Sequence, residues 1–219
     1  MVQEVVESVE GCVARAGVLA RGGGRRVLGI TGAPGAGKST VARRVVAALG
    51  DLAVYVPMDG FHLAQVELAR LGRTARKGAP DTFDADGYVA LLRRVRDVGN
   101  VGDATVYAPE FRRDLEEPIV GAIAVEASTP LVVTEGNYLL LGEGPFGAVA
   151  ALLDESWYVE VPEDLRMNRL VERHRAYGKT PAAAREWAYG SDQRNAVLVE
   201  GARERAGVLV SLAEGQASR

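Results

Sequence analysis

Eight consecutive residues, Gly32-Ala33-Pro34-Gly35-Ala36-Gly37-Lys38-Ser39, fit the pattern G-x-x-x-x-G-K-[ST] without substitution, and Thr40 follows. These residue types suit phosphate chemistry. The glycines let the chain curl until successive N–H groups point inward at phosphate oxygens, at the start of a helix whose dipole favours anions. Lys38 is then placed to reach the β- and γ-phosphates of a nucleotide, and Ser39 to ligate Mg²⁺. Two acidic residues end apolar runs farther along: Asp59 in Met58-Asp59-Gly60-Phe61-His62, and Glu135 in Thr134-Glu135-Gly136-Asn137-Tyr138. In a doubly wound sheet, ligands bind outside the carboxyl ends of the strands, so both carboxylates would emerge beside the γ-phosphate. Such a pair can hold Mg²⁺, directly or through water, and can take the proton from an attacking hydroxyl. A plainer role stays open for each: Asp59 as the residue that turns strand into loop, Glu135 as a cap or loop ion pair.

Arginine supplies a third group. Arg166, Arg169 and Arg173 stand at i, i+3 and i+7 on one helix face, with Arg175 and Lys179 after them. In a segment that closes over the nucleotide, such arginines neutralise the phosphoryl group in transfer and exclude water, which makes Arg169 and Arg173 the candidates for phosphate contact. The same spacing also suits a solvated helix paired with Glu163, Asp164 and Glu172. Arg112 and Arg113 are candidates for an anionic group on an acceptor, against a solvated hairpin. Asp192-Gln193-Arg194-Asn195 is expected near the adenine, although Ser191 and Asp192 also make good helix caps. Trp157 and Trp187 read as packing residues and His174 as a bystander.

These groups need elements to position them. Val27–Thr31 reads as a buried strand feeding the glycine-rich turn, and Lys38–Leu49 as the helix after it, capped by Gly50. Strands are also expected at 52–56, 131–134, 157–161 and 207–210, helices at 64–71, 86–98, 162–177, 182–189 and 192–200, and a small hairpin from 105–107 and 119–126. At the N-terminus, Val2, Val5, Val6, Val9, Val13 and Ala16 recur at helical steps, predicting one helix that Gly22-Gly23-Gly24 stops. Strands alternating with helices argue a parallel sheet covered on both faces. The expected domain is single over 1–219, with an N-terminal helix (1–24), an acceptor or cap region (60–125) and a lid (162–190).

Composition excludes several classes. Lys and Arg total 26 against 29 Asp and Glu, a net charge of −3, which lacks the basic footprint of a nucleic-acid binder. The single cysteine, Cys12, cannot form an internal disulfide. Glu4, Glu7 and Glu10 replace the basic start of a signal peptide, and no membrane-length apolar run appears. The expectation is a cytoplasmic protein without nucleic-acid or membrane partners. A GTPase would show N-K-x-D and a motor ATPase an apolar strand ending in Asp-Glu, and neither is found.

Gly32–Thr40, Asp59-Gly-Phe-His62, Pro80-Asp-Thr-Phe-Asp84 and Val133-Thr-Glu135-Gly-Asn-Tyr138, in this order and spacing, resemble the phosphoribulokinase/uridine kinase family of P-loop kinases over roughly residues 27–210. The resemblance implies a three-layer α/β/α fold with a five-stranded, mostly parallel sheet, a small substrate cap and a helical, arginine-rich lid. It implies ATP and Mg²⁺, a small-molecule hydroxyl acceptor, and an association that a homodimer would satisfy. Residue by residue, Asp59 corresponds to the family's general base, Ser39 and Glu135 with Asp59 to its Mg²⁺ environment, and His62 to the place where uridine kinases carry a substrate-contacting Tyr. Phe83 and Asp84 match the segment lining the acceptor pocket; Arg113, Glu135, Tyr138 and Arg166 complete the implied acceptor contacts. Gly60 stands where uridine kinases usually carry Ser, which looks more like type I pantothenate kinases. The runs Asp-Gly-Phe-His-Leu, Arg-Lys-Gly-Ala-Pro-Asp-Thr-Phe-Asp and Glu-Gly-Asn-Tyr-Leu-Leu resemble a nucleoside-kinase-like subgroup also called fructose-transport-system kinase-like. A nucleotide-dependent binding module without catalysis is the alternative; it would need no acceptor base.

Overall fold

A computed structural model describes residues 4–97 and 104–212. Strand β1 (Glu4–Val6) leads into α1 (Val9–Arg21), then β2 (Arg26–Thr31), α2 (Lys38–Leu49), β3 (Ala53–Pro57), α3 (Gln65–Arg70) and α4 (Ala85–Asp97). The chain continues through β4 (Val106–Arg112), β5 (Glu117–Val125), β6 (Leu131–Glu135), β7 (Glu155–Glu160), α5 (Glu163–Ala176), α6 (Pro181–Trp187), α7 (Gln193–Glu200) and β8 (Val208–Ser211). The main sheet runs β1-β8-β7-β2-β6-β3, and every neighbouring pair is parallel. Its centre, β2 and β6, is almost wholly buried, the state expected of strands covered on both faces. Cys12, Ala16, Val41, Val45, Leu28, Ile30 and Trp157 pack one face. The other face carries Tyr88, Leu92, Val27, Val132, Tyr158 and Val199. Three layers result.

The N-terminus differs from expectation. The sheet has six strands rather than five, because Glu4–Val6 pairs with β8. The predicted helix therefore begins only at Val9, where the Ser8 hydroxyl accepts from Gly11 N at 3.0 Å. An N-cap hydroxyl satisfies a first-turn N–H that the helix cannot. The β-branched run Val5-Val6 fits a strand as well as one helix face, and sheet pairing decides between them. Val2 lies outside the described residues, as does Val98, the last residue of the helix expected at 86–98.

β4 and β5 form the small antiparallel sheet, with a register shift between Ala108 and Glu110. It sits on the turn after β3 because Gly60 has no side chain: a Cβ there would lie 2.3 Å from the Pro109 carbonyl oxygen. Helices α5 and α6 cover the carboxyl ends of the strands, and Met167 and Leu170 of α5 form a small apolar cluster with Ala188, just past α6. Among the described residues no helix is long and apolar enough to cross a membrane.

Candidate active site

The loop Gly32–Gly37 joins β2 to α2 and needs its glycines. Gly32, Gly35 and Gly37 have φ of 146°, 84° and 97°, and a Cβ on Gly32 would lie 2.4 Å from the Val159 carbonyl oxygen. L-residues with side chains rarely take that backbone region. Gly37 then caps α2, whose first residue is Lys38. The Lys38 side chain is buried, and Nζ donates to the Ala33 carbonyl at 3.1 Å and to Asn137 Oδ1 at 2.7 Å. Burial pushes its ammonium down to about 8, against the attraction of Glu135 and Asp59.

Glu135 ends β6 and Asp59 follows β3, the next strand of the sheet, so both emerge at the carboxyl edge as expected. Glu135 Oε1 accepts from Ser39 Oγ at 3.0 Å and from the Tyr55 hydroxyl at 2.7 Å. Asp59 Oδ2 accepts from Arg113 Nη2 at 2.9 Å. The two carboxyls are driven apart. Burial and the Asp59 charge raise Glu135, although Lys38, Tyr55 and Ser39 pull the other way. Burial alone would raise Asp59 too, but His62, Arg113, Lys38 and Arg173 hold it below the ordinary carboxylate value. Carboxylates pushed in opposite directions can take different parts in one reaction.

These groups open into a cavity of about 620 Å³ whose walls include Lys38, Ser39, Asp59, His62, Phe83, Arg113, Glu135, Arg173 and Asn195. A crevice of about 280 Å³ shares Lys38, Ser39, Asp59 and Glu135 and adds Gly35, Gly37, Thr40, Arg43 and Arg169. Arg173 lies in the walls of both, with its guanidinium pKa lowered by burial and by the like charge of Arg113. His62 packs its ring 4.0 Å from Phe83 and 4.8 Å from Phe111, and Nδ1 donates to the Asp59 carbonyl at 2.8 Å.

The other predicted residues divide between the cavity wall and positions away from it. Asp84 is exposed and accepts from Gly87 N at 2.9 Å, so it caps α4 instead of lining the cavity. Tyr138 is fully buried against Phe83 and Phe146, and its hydroxyl donates to the Gly78 carbonyl. It shapes the wall from behind. Arg166 is buried on the far side of the loop, donating to Pro34 O at 3.3 Å and to Gln193. Arg112 pairs with Asp114 at 2.7 Å and is exposed. Asn195 donates to Gly78 O at 3.2 Å. Trp157 is core, whereas Trp187 lines the large cavity with Lys179 Nζ 4.3 Å from its ring centre. His174 also lines that wall, with Nε2 2.7 Å from Asp192 Oδ2.

Asn137, Tyr55, Lys77 and Phe111 were not singled out by sequence reasoning. Two carried a signal, Asn137 two residues beyond Glu135 and Lys77 within the run 76–84. Tyr55 and Phe111 reach the site through strand pairing and hairpin packing. Mg²⁺ prefers hard oxygen donors and keeps several waters, and it usually binds through one or two carboxylates plus substrate phosphates. Ser39 and Glu135, already in contact, with Asp59 beside them, form such a set. Among the described residues no cluster of three or more His, Cys, Asp or Glu forms, so phosphate oxygens and water would complete the shell.

Comparison with known proteins places the chain in a family. Residues 27–183 match the model of the Phosphoribulokinase / Uridine kinase family. An ATP-dependent kinase-like protein of Aspergillus versicolor is 37% identical over 145 residues, covering 64% of this chain and 84% of that one. A proposed uridine kinase of Schizosaccharomyces pombe is 33% identical over 187 residues, covering 80% and 78%. The crystal structure of a proposed fructose transport system kinase from Silicibacter sp. TM1040 is similar with a TM-score of 0.77 and 35% identity, covering 91% of this chain and 98% of that one. This chain belongs to the phosphoribulokinase/uridine kinase family of P-loop kinases.

Proposed function

We propose that this kinase transfers the γ-phosphoryl group of MgATP to a hydroxyl of a small metabolite, with Asp59 as the general base. The observation that carries this reading is the placement of Asp59 and Glu135 on neighbouring strands, flanking Lys38 and opening into one cavity with their pKa values driven apart. The backbone of Gly32–Gly37 and the Lys38 ammonium bind the phosphates. Ser39, Glu135 and Asp59 would hold Mg²⁺, which when bound neutralises charge developing on the β- and γ-oxygens. Asp59, kept ionised by its cationic neighbours, accepts the hydroxyl proton. The acceptor oxygen bonds to the γ-phosphorus, and the bond from that phosphorus to the β-phosphate oxygen breaks, leaving its electron pair on ADP. Arg173 and Arg169, reached from α5, supply positive charge around the transferring group and help exclude water. His62, Phe83 and Phe111 give the acceptor an aromatic wall.

The acceptor classes compatible with the family are a nucleoside-like, a pantothenate-like or a sugar hydroxyl. Phosphorus NMR of protein incubated with MgATP and a panel of these compounds checks the reading. One acceptor should yield a phosphate ester with equimolar ADP. ATP bound with no ester formed from any member would contradict it.

A further inference from the structure

The proposed base is already engaged. Arg113 Nη2 donates to Asp59 Oδ2 at 2.9 Å, so a hydroxyl that is to give Asp59 its proton must compete with a guanidinium. A charge-assisted pair of this kind yields most readily when the guanidinium gains another anion. Lys77 stands on the same wall. Its Nζ lies 4.8 Å from the centre of the Phe111 ring and donates to the Glu116 carbonyl at 2.7 Å, while Arg113 Cζ lies 5.7 Å from that ring. The His62 ring packs on Phe111 as well, 4.8 Å between ring centres.

The carboxylates facing this cavity are Asp59, Glu116, Glu135 and Asp192. Glu135 is taken by Ser39 and Tyr55, and Asp192 by His174. Glu116 meets Lys77 only at 3.4 Å, with its side chain about half exposed. Two cations at the acceptor end are therefore balanced by one loosely held glutamate and by the base itself.

We propose that the acceptor is an anion, carrying a carboxylate or phosphate group besides its hydroxyl, and that Arg113 with Lys77 binds this group. The inference rests on the kinase reading above and names its substrate class. On arrival, the anionic group draws Arg113 away from Asp59 and frees Oδ2. Asp59 then takes the hydroxyl proton as the acceptor oxygen bonds to the γ-phosphorus and ADP leaves; the proton later passes from Asp59 to water. One contact thus couples recognition of the anion to release of the base.

The test uses matched acceptors under MgATP: glycerate against glycerol, pantothenate against pantothenyl alcohol, and fructose 6-phosphate against fructose. Transfer should favour the anionic member of the productive pair, and that pair tells carboxylate from phosphate. Arg113→Gln should reduce the anionic-to-neutral ratio of kcat/KM by about 10- to 100-fold, the range for losing a hydrogen bond to a charged group. Arg113→Lys should recover part of the ratio. A neutral member preferred by the unmodified protein, or a ratio unchanged in Arg113→Gln, overturns the inference while the kinase reading stands. Transfer to a nucleoside of the wider panel but to no member of these pairs overturns the inference alone; no transfer to any compound of either panel with MgATP bound overturns the kinase reading and the inference with it.

Discussion

Lys38 is a buried ammonium whose partners are a carbonyl and an amide oxygen, so burial outweighs its attraction to Glu135 and Asp59 and brings it down to about 8. In the proposed role it binds phosphate only when protonated. Its charge is therefore present below pH 8 and is lost as pH rises through that value. At pH 9 the nucleotide-free protein must take up a proton to bind, which weakens ATP by up to ~10-fold, one pKa unit's worth. Calorimetric titration with MgATP from pH 7 to 9 checks this; Lys38→Met should bind weakly at every pH and lose the alkaline limb. Glu135, raised by burial and by Asp59, has the opposite sign: its charge appears as pH rises through a value above the ordinary range. Mg²⁺ affinity should fall on acidification at a higher pH than an ordinary glutamate would give. In Glu135→Gln that acid limb should vanish, and an unchanged limb would remove Glu135 from the metal set. At this scale the sequence spoke clearly for Lys38, Ser39, Asp59 and Glu135, because each ends or follows a recognisable run. It misplaced Asp84, whose position before a helix is equally a cap, and it was silent on Tyr55, which reaches Glu135 only across paired strands.

Hairpin β4–β5 delivers Arg113 and Phe111 to the cavity, and its seat is the contact between Pro109 and Gly60. A methyl at Gly60 meets backbone, which cannot swing aside as the end of a flexible side chain can. Gly60→Ala should cost about 1–3 kcal/mol in overpacking and shift the hairpin, raising KM for the acceptor more than KM for ATP. Denaturant unfolding and steady-state kinetics measure the two effects; equal changes in both KM values would contradict this role for the seat. Gly32→Ala should strike the phosphate loop instead and reduce ATP affinity, because its Cβ meets the Val159 carbonyl where φ is 146°. Element order was largely legible. Helix α2 follows its predicted bounds residue for residue, and the strand ends that present Asp59 and Glu135 lie within a residue of expectation. The N-terminal strand was not legible. Val5 and Val6 satisfy helical and extended spacing alike, and only the edge of β8 selects between them.

Across the whole molecule, the sheet and its two packed faces form a rigid base, whereas α5 and the turn that follows α6 share a cluster of only a few apolar side chains. Sparse apolar contact lowers the free energy of local opening. Amides of 163–187 should exchange at least ~10-fold faster than those of β2 and β6, and MgADP should slow them as Arg169 and Arg173 engage phosphate. Hydrogen exchange with and without nucleotide reports both; protection of α5 and α6 equal to the sheet without nucleotide would argue against a closing lid. In the proposed reaction sheet, hairpin and lid act together, and they meet at Asp59. The most direct measurement is therefore phosphoryl transfer to the productive acceptor by Asp59→Asn beside the unmodified protein, with MgATP affinity measured in parallel. The account predicts ATP affinity within a few-fold and kcat lower by roughly 10²- to 10⁴-fold, the usual contribution of a general base. An Asp59→Asn protein that binds ATP and turns over within a few-fold of the unmodified one would contradict it.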